Sequence, residues 1–157
     1  MDTAQRGAAL TAIASGYKSQ NILSPDHDVV GVAGEQAVAT MFGVAMPDPI
    51  PTGRGDGGRD LPDIAGYPPD VKTARKPGHL PVVVGKLDRR TLYILCGYSD
   101  ETKLATVLCW QWGSVVEDYG WIGKLCPRSP ESHNLPRAKC RPIAELLEQH
   151  NKSLPRT

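Results

Sequence analysis

Asp70-Val71-Lys72 places a carboxylate and an ammonium two residues apart. On an extended strand, alternate side chains share a face, so Asp70 and Lys72 project together and Val71 points the other way, into a core. A carboxylate beside a lysine can hold a divalent metal while the lysine orients a water or offsets charge in a phosphoryl transition state. An exposed strand can carry the same two residues as a plain ion pair, so neighbouring residues decide between the readings. Asp60 lies ten residues earlier, and Gly66-Tyr67-Pro68-Pro69 between them reads as a turn. A hairpin of Asp60–Ala65 and Asp70–Thr73 would bring two carboxylates together, a pairing that repels unless a cation sits between them. Mg²⁺ suits such a pair, since it takes oxygen ligands and commonly one or two carboxylates plus water. Asp56 and Asp63 are the competing acids. Asp63 faces away from Asp60 by strand parity, and Asp56 sits among glycines as a turn residue. Glu35 is the third acid: helical spacing from Val38 and Phe42 puts it on or beside an apolar stripe, where an unpaired charge is costly.

The elements that must position these groups are legible in part. Ser24-Pro25 is a helix start signal, and Asp26 and Asp28 suit the positive end of the helix dipole. The stripe Val30, Ala33, Ala37, Val38, Met41 and Phe42 predicts a helix, which Gly43 closes. Residues 44–59 are rich in Pro and Gly and read as a loop. Strands are expected at Leu80–Val84, Thr91–Cys96 and Leu104–Trp110, with strand ends or a small hairpin at Trp110-Gln111-Trp112 and Tyr119-Gly120-Trp121-Ile122. Residues 126–142 contain four prolines and read as irregular, and Pro142 opens a last helix with Ile143, Leu146 and Leu147 on one face. Residues 1–23 form a loose helical arm of small residues, and residues 24–157 a single domain. Helix, hairpin, strands and helix in that order predict an α/β fold around a mixed sheet.

Composition narrows the class. The chain has 157 residues with 18 Lys and Arg against 17 Asp and Glu, so net charge does not argue for nucleic acid. Residues 72–90 nevertheless hold Lys72, Arg75, Lys76, Lys86, Arg89 and Arg90 against Asp88 alone; the stretch could face phosphates, but charge alone favours a solvated surface loop. Nothing in the sequence is long and apolar enough to span a membrane, and the start lacks the pattern of a signal peptide, so a cytoplasmic setting is expected. Cys96, Cys109, Cys126 and Cys140 form no CxxC pair. They read as structural thiols in a reducing compartment, ahead of a zinc site from Cys126, His133 and Cys140. His27, His79, His133 and His150 are scattered, and no Walker loop, GxSxG or HExxH is present.

Three blocks, Gly34-Glu35-Gln36-Ala37, Gly55-Asp56-Gly57-Gly58-Arg59-Asp60 and Asp70-Val71-Lys72-Thr73-Ala74, resemble the PD-(D/E)XK, restriction-endonuclease-like nuclease superfamily, in particular small phage-type members. Gly120-Trp121-Ile122 and Arg141–Leu147 are also similar to such proteins, so the likeness spans about residues 30–147. The resemblance implies a restriction-endonuclease-like mixed β-sheet flanked by helices and a Mg²⁺- or Mn²⁺-dependent deoxyribonuclease without organic cofactor. It implies Asp60 as the main metal ligand, Asp70 and Glu35 as further ligands, and Lys72 as the catalytic lysine. Arg59, Arg75, Lys76 and His79 are the expected substrate contacts. DNA is the expected partner, with self-association into a homo-oligomer and a bacterial or phage-infected host cytoplasm as the setting. A non-catalytic nucleic-acid- or protein-binding module on the same scaffold is the alternative.

Overall fold

Helix α1 runs from Asp26 to Phe42 and is closed as expected by Gly43 at φ +66°, with the Val44 N–H donating to the Ala39 carbonyl at 3.0 Å. That bond and the left-handed glycine are the two parts of a Schellman cap. In this computed structural model the described residues are 26–46 and 61–155, with side chains of α1 from Val29 onward; Asp56, Arg59, Asp60 and the expected arm at 1–23 lie outside them. Val30, Ala33, Val38 and Phe42 bury the α1 stripe, but Met41 is 39 % exposed and Ala39 is buried instead. Val38, Ala39 and Phe42 share one core cluster with Leu61, Ile64 and Leu146 and with the sheet residues Ile94, Cys96, Val107 and Trp110.

Strand β1 is Pro69–Ala74, and β3 (Leu92–Ser99) lies beside it in parallel, Asp70 opposite Tyr93 and Lys72 opposite Leu95. The expected hairpin with 60–65 does not form among the described residues. Ile64 pairs only with Tyr67, across a tight turn whose central residues Ala65 and Gly66 both have positive φ (52° and 88°). Two such residues are the mark of a type I′ turn. The ladder stops there because Pro68 and Pro69 have no N–H to continue it. Leu61 and Ile64 instead turn under α1 into the core.

β3 forms an antiparallel hairpin with β4 (Leu104–Trp112), with a bulge at Leu95/Cys96. β3 is fully buried from Leu92 to Cys96, as a continuous apolar run in a central strand should be. β4 also pairs with the two-residue β7 (Arg141–Pro142), giving a mixed sheet ordered β1-β3-β4-β7. A second, antiparallel sheet is ordered β2-β6-β5, from His79–Val83, Ser132–Pro136 and Trp121–Gly123. Helix α2 (Gly113–Tyr119) and helix α3 (Ile143–Ser153) complete the described part. The result is one small α/β domain in which α1 covers one face of the mixed sheet and the second sheet covers the other.

Two regions differ from the sequence reading. The expected irregular stretch 126–142 contains β6, whose Ser132, His133, Asn134 and Leu135 are all buried. Asn134 makes this possible: its Nδ2 donates to the Trp121, Gly123 and Ser132 carbonyls at 3.3, 3.1 and 3.0 Å. Helix α2 was not expected. It is short and opens on Gly113, where a Cβ would lie 1.9 Å from the Asp88 carbonyl oxygen. Pro142 is the cap of α3 rather than its first residue, and Leu146 is the fully buried member of the expected face.

Cys96 and Cys109 are buried and all four thiols are free. Burial pushes the Cys96 thiol up to about 12, whereas the exposed Cys126 thiol is held below its ordinary value, chiefly by its hydrogen bond with Ser129. Since the thiolate is the reacting form, iodoacetamide on the native protein near neutral pH alkylates Cys126 well before Cys96. Peptide mass mapping over time reads the order, and early labelling of Cys96 would contradict it. Among the described residues no helix is long and apolar enough to cross a membrane.

Candidate functional site

β1 is the end strand of the mixed sheet, and its alternation sorts the residues as strand geometry requires. Val71 packs with Ile94 and Cys96 in the core under α1. Asp70 and Lys72 project from the opposite face, over Tyr93 and toward the second sheet. There Lys72 Nζ lies 3.2 Å from Asp70 Oδ1, with side chains 31 % and 41 % exposed respectively. Lys72 Nζ is also 6.0 Å from the centroid of the Tyr93 ring. The Tyr93 hydroxyl accepts the Asp88 N–H at 3.0 Å, and burial, with smaller contributions from the charges of Asp70 and Asp88, raises its pKa. Tyr93 is the floor of this site. It was legible as a strand residue, but only the parallel register puts it beneath the pair.

α1 approaches β1 from the other face. A Cβ at Gly34 would lie 1.8 Å from Thr73 Oγ1 and 3.0 Å from Thr73 Cβ, so only glycine lets helix and strand close to this distance. Thr73 Oγ1 is buried there without a hydrogen-bond partner. Glu35 follows directly, half-buried at the flank of the stripe. Glu35 therefore stands next to the closest helix–strand contact, while Asp70 and Lys72 lie on the far face of the same strand. Gly34→Ala forces the two elements apart and costs about 1–3 kcal/mol by overpacking. Thr73→Ala in the same chain restores most of that loss, since it removes the atoms the new methyl meets. Urea unfolding of the single and double variants measures this, and strict additivity would contradict the close approach.

The other expected residues are dispersed. Asp63 is exposed, before the Ile64–Tyr67 turn, and Asp60, Arg59 and Asp56 lie outside the described residues. Arg75 is held by Asp100, at 2.7 and 3.0 Å, and stacks over Tyr98 at 5.6 Å. That pairing draws the Asp100 carboxyl below its usual range. Lys76 is exposed. His79 packs edge-on against Trp121, with centroids 5.6 Å apart. Among the described residues, no group of three or more His, Cys, Asp and Glu gathers as a metal site, so Cys126, His133 and Cys140 are not brought together. Asp70 alone offers one half-exposed carboxylate, within the one or two that Mg²⁺ commonly takes from a protein. A shallow depression on α3, lined by Ala144, Leu147, Glu148, Asn151, Lys152 and Leu154, contains none of the expected residues.

Comparison with protein-family models, with curated proteins and with solved structures gives no match for this chain. The class of the protein therefore rests on its own residues and their placement.

Proposed function

We propose that this chain is a metal-dependent nuclease of the PD-(D/E)XK kind that hydrolyses phosphodiester bonds of DNA. Its β1-β3-β4-β7 sheet, entered by α1, would be a small variant of the restriction-endonuclease-like core. The observation that carries this reading is the pairing of Asp70 with Lys72, 3.2 Å apart on one accessible face of an end strand. Asp70 and Asp60 would hold Mg²⁺ or Mn²⁺, whereas Glu35 stands on the α1 side of β1, across the strand from Asp70. A bound metal of this type supplies an acidified water and a clamp for a phosphate oxygen. Lys72 orients that water and offsets charge that develops on the phosphate. The Tyr93 ring beneath Lys72 limits where the ammonium can go. The setting expected for such an enzyme is the cytoplasm of a bacterial or phage-infected cell.

The choice of acid is testable apart from the lysine. Asp60→Asn abolishes cleavage and Asp63→Asn leaves it intact, in a gel assay with labelled DNA and Mg²⁺. A dead Asp63→Asn beside a live Asp60→Asn would assign the wrong carboxylate. A second reading, a non-catalytic binding module on the same scaffold, is favoured by one observation: Tyr119, Trp121 and Ile122, at and just before β5, are 67, 44 and 58 % exposed.

A further inference from the structure

The two stretches of sequence that contain the strands of the second sheet are rich in positive charge. Residues 72–90 and 121–141, which supply β2, β5, β6 and their flanks, hold eleven Lys and Arg against two acids, Asp88 and Glu131; the remaining residues hold seven against fifteen. A chain of almost no net charge is thus sharply divided along its sequence, although Lys72 and Arg141 of these stretches lie on β1 and β7 of the mixed sheet.

The outer face of this sheet is defined by its alternation. Leu80, Val82 and Leu135 point inward, to Tyr93 and Leu95. His79, Pro81 and Val83 alternate with them on β2, half-exposed on the other face. Trp121 lies on that face too, opposite Asn134 in the register and with its ring against His79. The ring is seated over Gly123, where a Cβ would come within 2.8 Å of it. Asn134 holds the strand beneath through its bonds to the Trp121 and Gly123 carbonyls. Trp121 is therefore a positioned indole, 44 % exposed, rather than a loose one.

Cations flank it at both ends of the sheet. At one end the Arg137 N–H donates to the Gly78 carbonyl and the Gly78 N–H to the Lys76 carbonyl, bringing Lys76 and Arg137 together beside His79. At the other end the Val84 N–H donates to the Glu131 carbonyl, which sets Lys86 near the β5–β6 connection that carries Lys124 and Arg128. Arg75, Arg89 and Arg141 are neutralised by Asp100, by Glu117 and Asp118, and by Glu145. Lys76, Lys86, Lys124, Arg128 and Arg137 have no ion-pair partner among the described residues. A five-residue strand spans roughly 17 Å, so the aromatic platform lies between two cationic ends at the spacing of a few nucleotides.

We propose that this face binds single-stranded nucleic acid, with a base stacked on Trp121 and the backbone tracked by Lys76 and Arg137 at one end and Lys124 and Arg128 at the other. Stacking on an aromatic ring combined with flexible cations is the sequence-tolerant way proteins hold single strands. A protein partner would need both an apolar patch for Trp121 and carboxylates at both ends of the sheet, whereas every stretch of single strand carries bases and phosphates together. The inference goes beyond the cleavage reading and stands without it, because binding needs neither a metal nor Asp70.

The test is fluorescence anisotropy of a short labelled oligothymidylate with the full chain in EDTA, where metal-dependent cleavage cannot occur. Trp121→Ala weakens binding about tenfold or more, and Trp121→Phe recovers much of it. The double variant Lys124→Ala/Arg128→Ala makes the slope of log K against log salt shallower by about 1.4. Binding is read in EDTA and cleavage with metal, so failure here and failure of the nuclease reading are separate results. Circular dichroism confirms that each variant is folded. No binding by the folded native chain, equal affinity in folded Trp121→Ala, or tighter binding of duplex than of single strand would overturn the proposal.

Discussion

Asp70→Asn and Lys72→Ala each lower metal-dependent DNA cleavage by about a thousandfold or more, while the protein stays folded. The two halves of this result have different causes. Activity falls because Asp70 would lose an anionic oxygen from the metal and Lys72 the cation that faces the developing phosphate charge. The fold persists because the pair is a partly exposed ion pair, with side chains 41 and 31 % exposed, and such pairs contribute about 0–1 kcal/mol. Neither residue is part of the packing on the α1 side, which Val71 provides. Gel assays with labelled DNA give the first half, and thermal melting gives the second. A variant that unfolds would make the pair structural, and a folded variant with full activity would remove Asp70 and Lys72 from the chemistry.

The second large effect is on stability. His150→Ala lowers it by about 3 kcal/mol, a fall in Tm of about 6–12 °C. His150 is 3 % exposed and joins three elements. Its Nδ1 accepts the Ala65 N–H at 2.9 Å, and its Nε2–H donates to the Phe42 carbonyl at 3.0 Å. The first bond fixes the tautomer, since the nitrogen that accepts cannot carry the proton. The second satisfies one of the carbonyls left open at the end of α1. The ring also meets Phe42 edge-on, with centroids 5.5 Å apart. Alanine leaves both backbone groups buried and unpaired, and a cavity beside Phe42. Ala65 adds to the dependence, because its positive φ of 52° is one that alanine adopts only when held. Urea or thermal unfolding measures the loss; a change below about 1 kcal/mol would mean that water or a shifted turn replaces the imidazole.

What was legible in the sequence is what local periodicity and capping encode. Gly43 closing α1, Val71 inward with Asp70 and Lys72 outward, and the apolar run of β3 all follow from side-chain spacing. Partners distant in sequence were not legible. β1 was expected to pair with the residues just before it, since a turn signal stood between them; it pairs instead with β3, and nothing near Asp70 points to Tyr93. The same limit hid β6, where Ser132, His133 and Asn134 read as loop until β5 arrives with the carbonyls that Asn134 needs. His150 read as one of four scattered histidines, because both groups it bonds lie more than eighty residues away. Of the candidate site, the pairing of Asp70 with Lys72 was readable from two-residue spacing. Its floor was not, because Tyr93 comes beneath the pair only through the parallel register of β1 with β3.

The most direct measurement is a cleavage assay on labelled linear duplex, single-stranded and branched DNA, with Mg²⁺, Mn²⁺ or EDTA, and Lys72→Ala alongside the native chain. Products that need the metal and vanish in the folded variant are the expected result, and the substrate that gives them defines the enzyme's preference. Folded native protein that cuts none of these DNAs with either metal, or cleavage that Lys72→Ala retains in full, would contradict a nuclease built on Asp70 and Lys72.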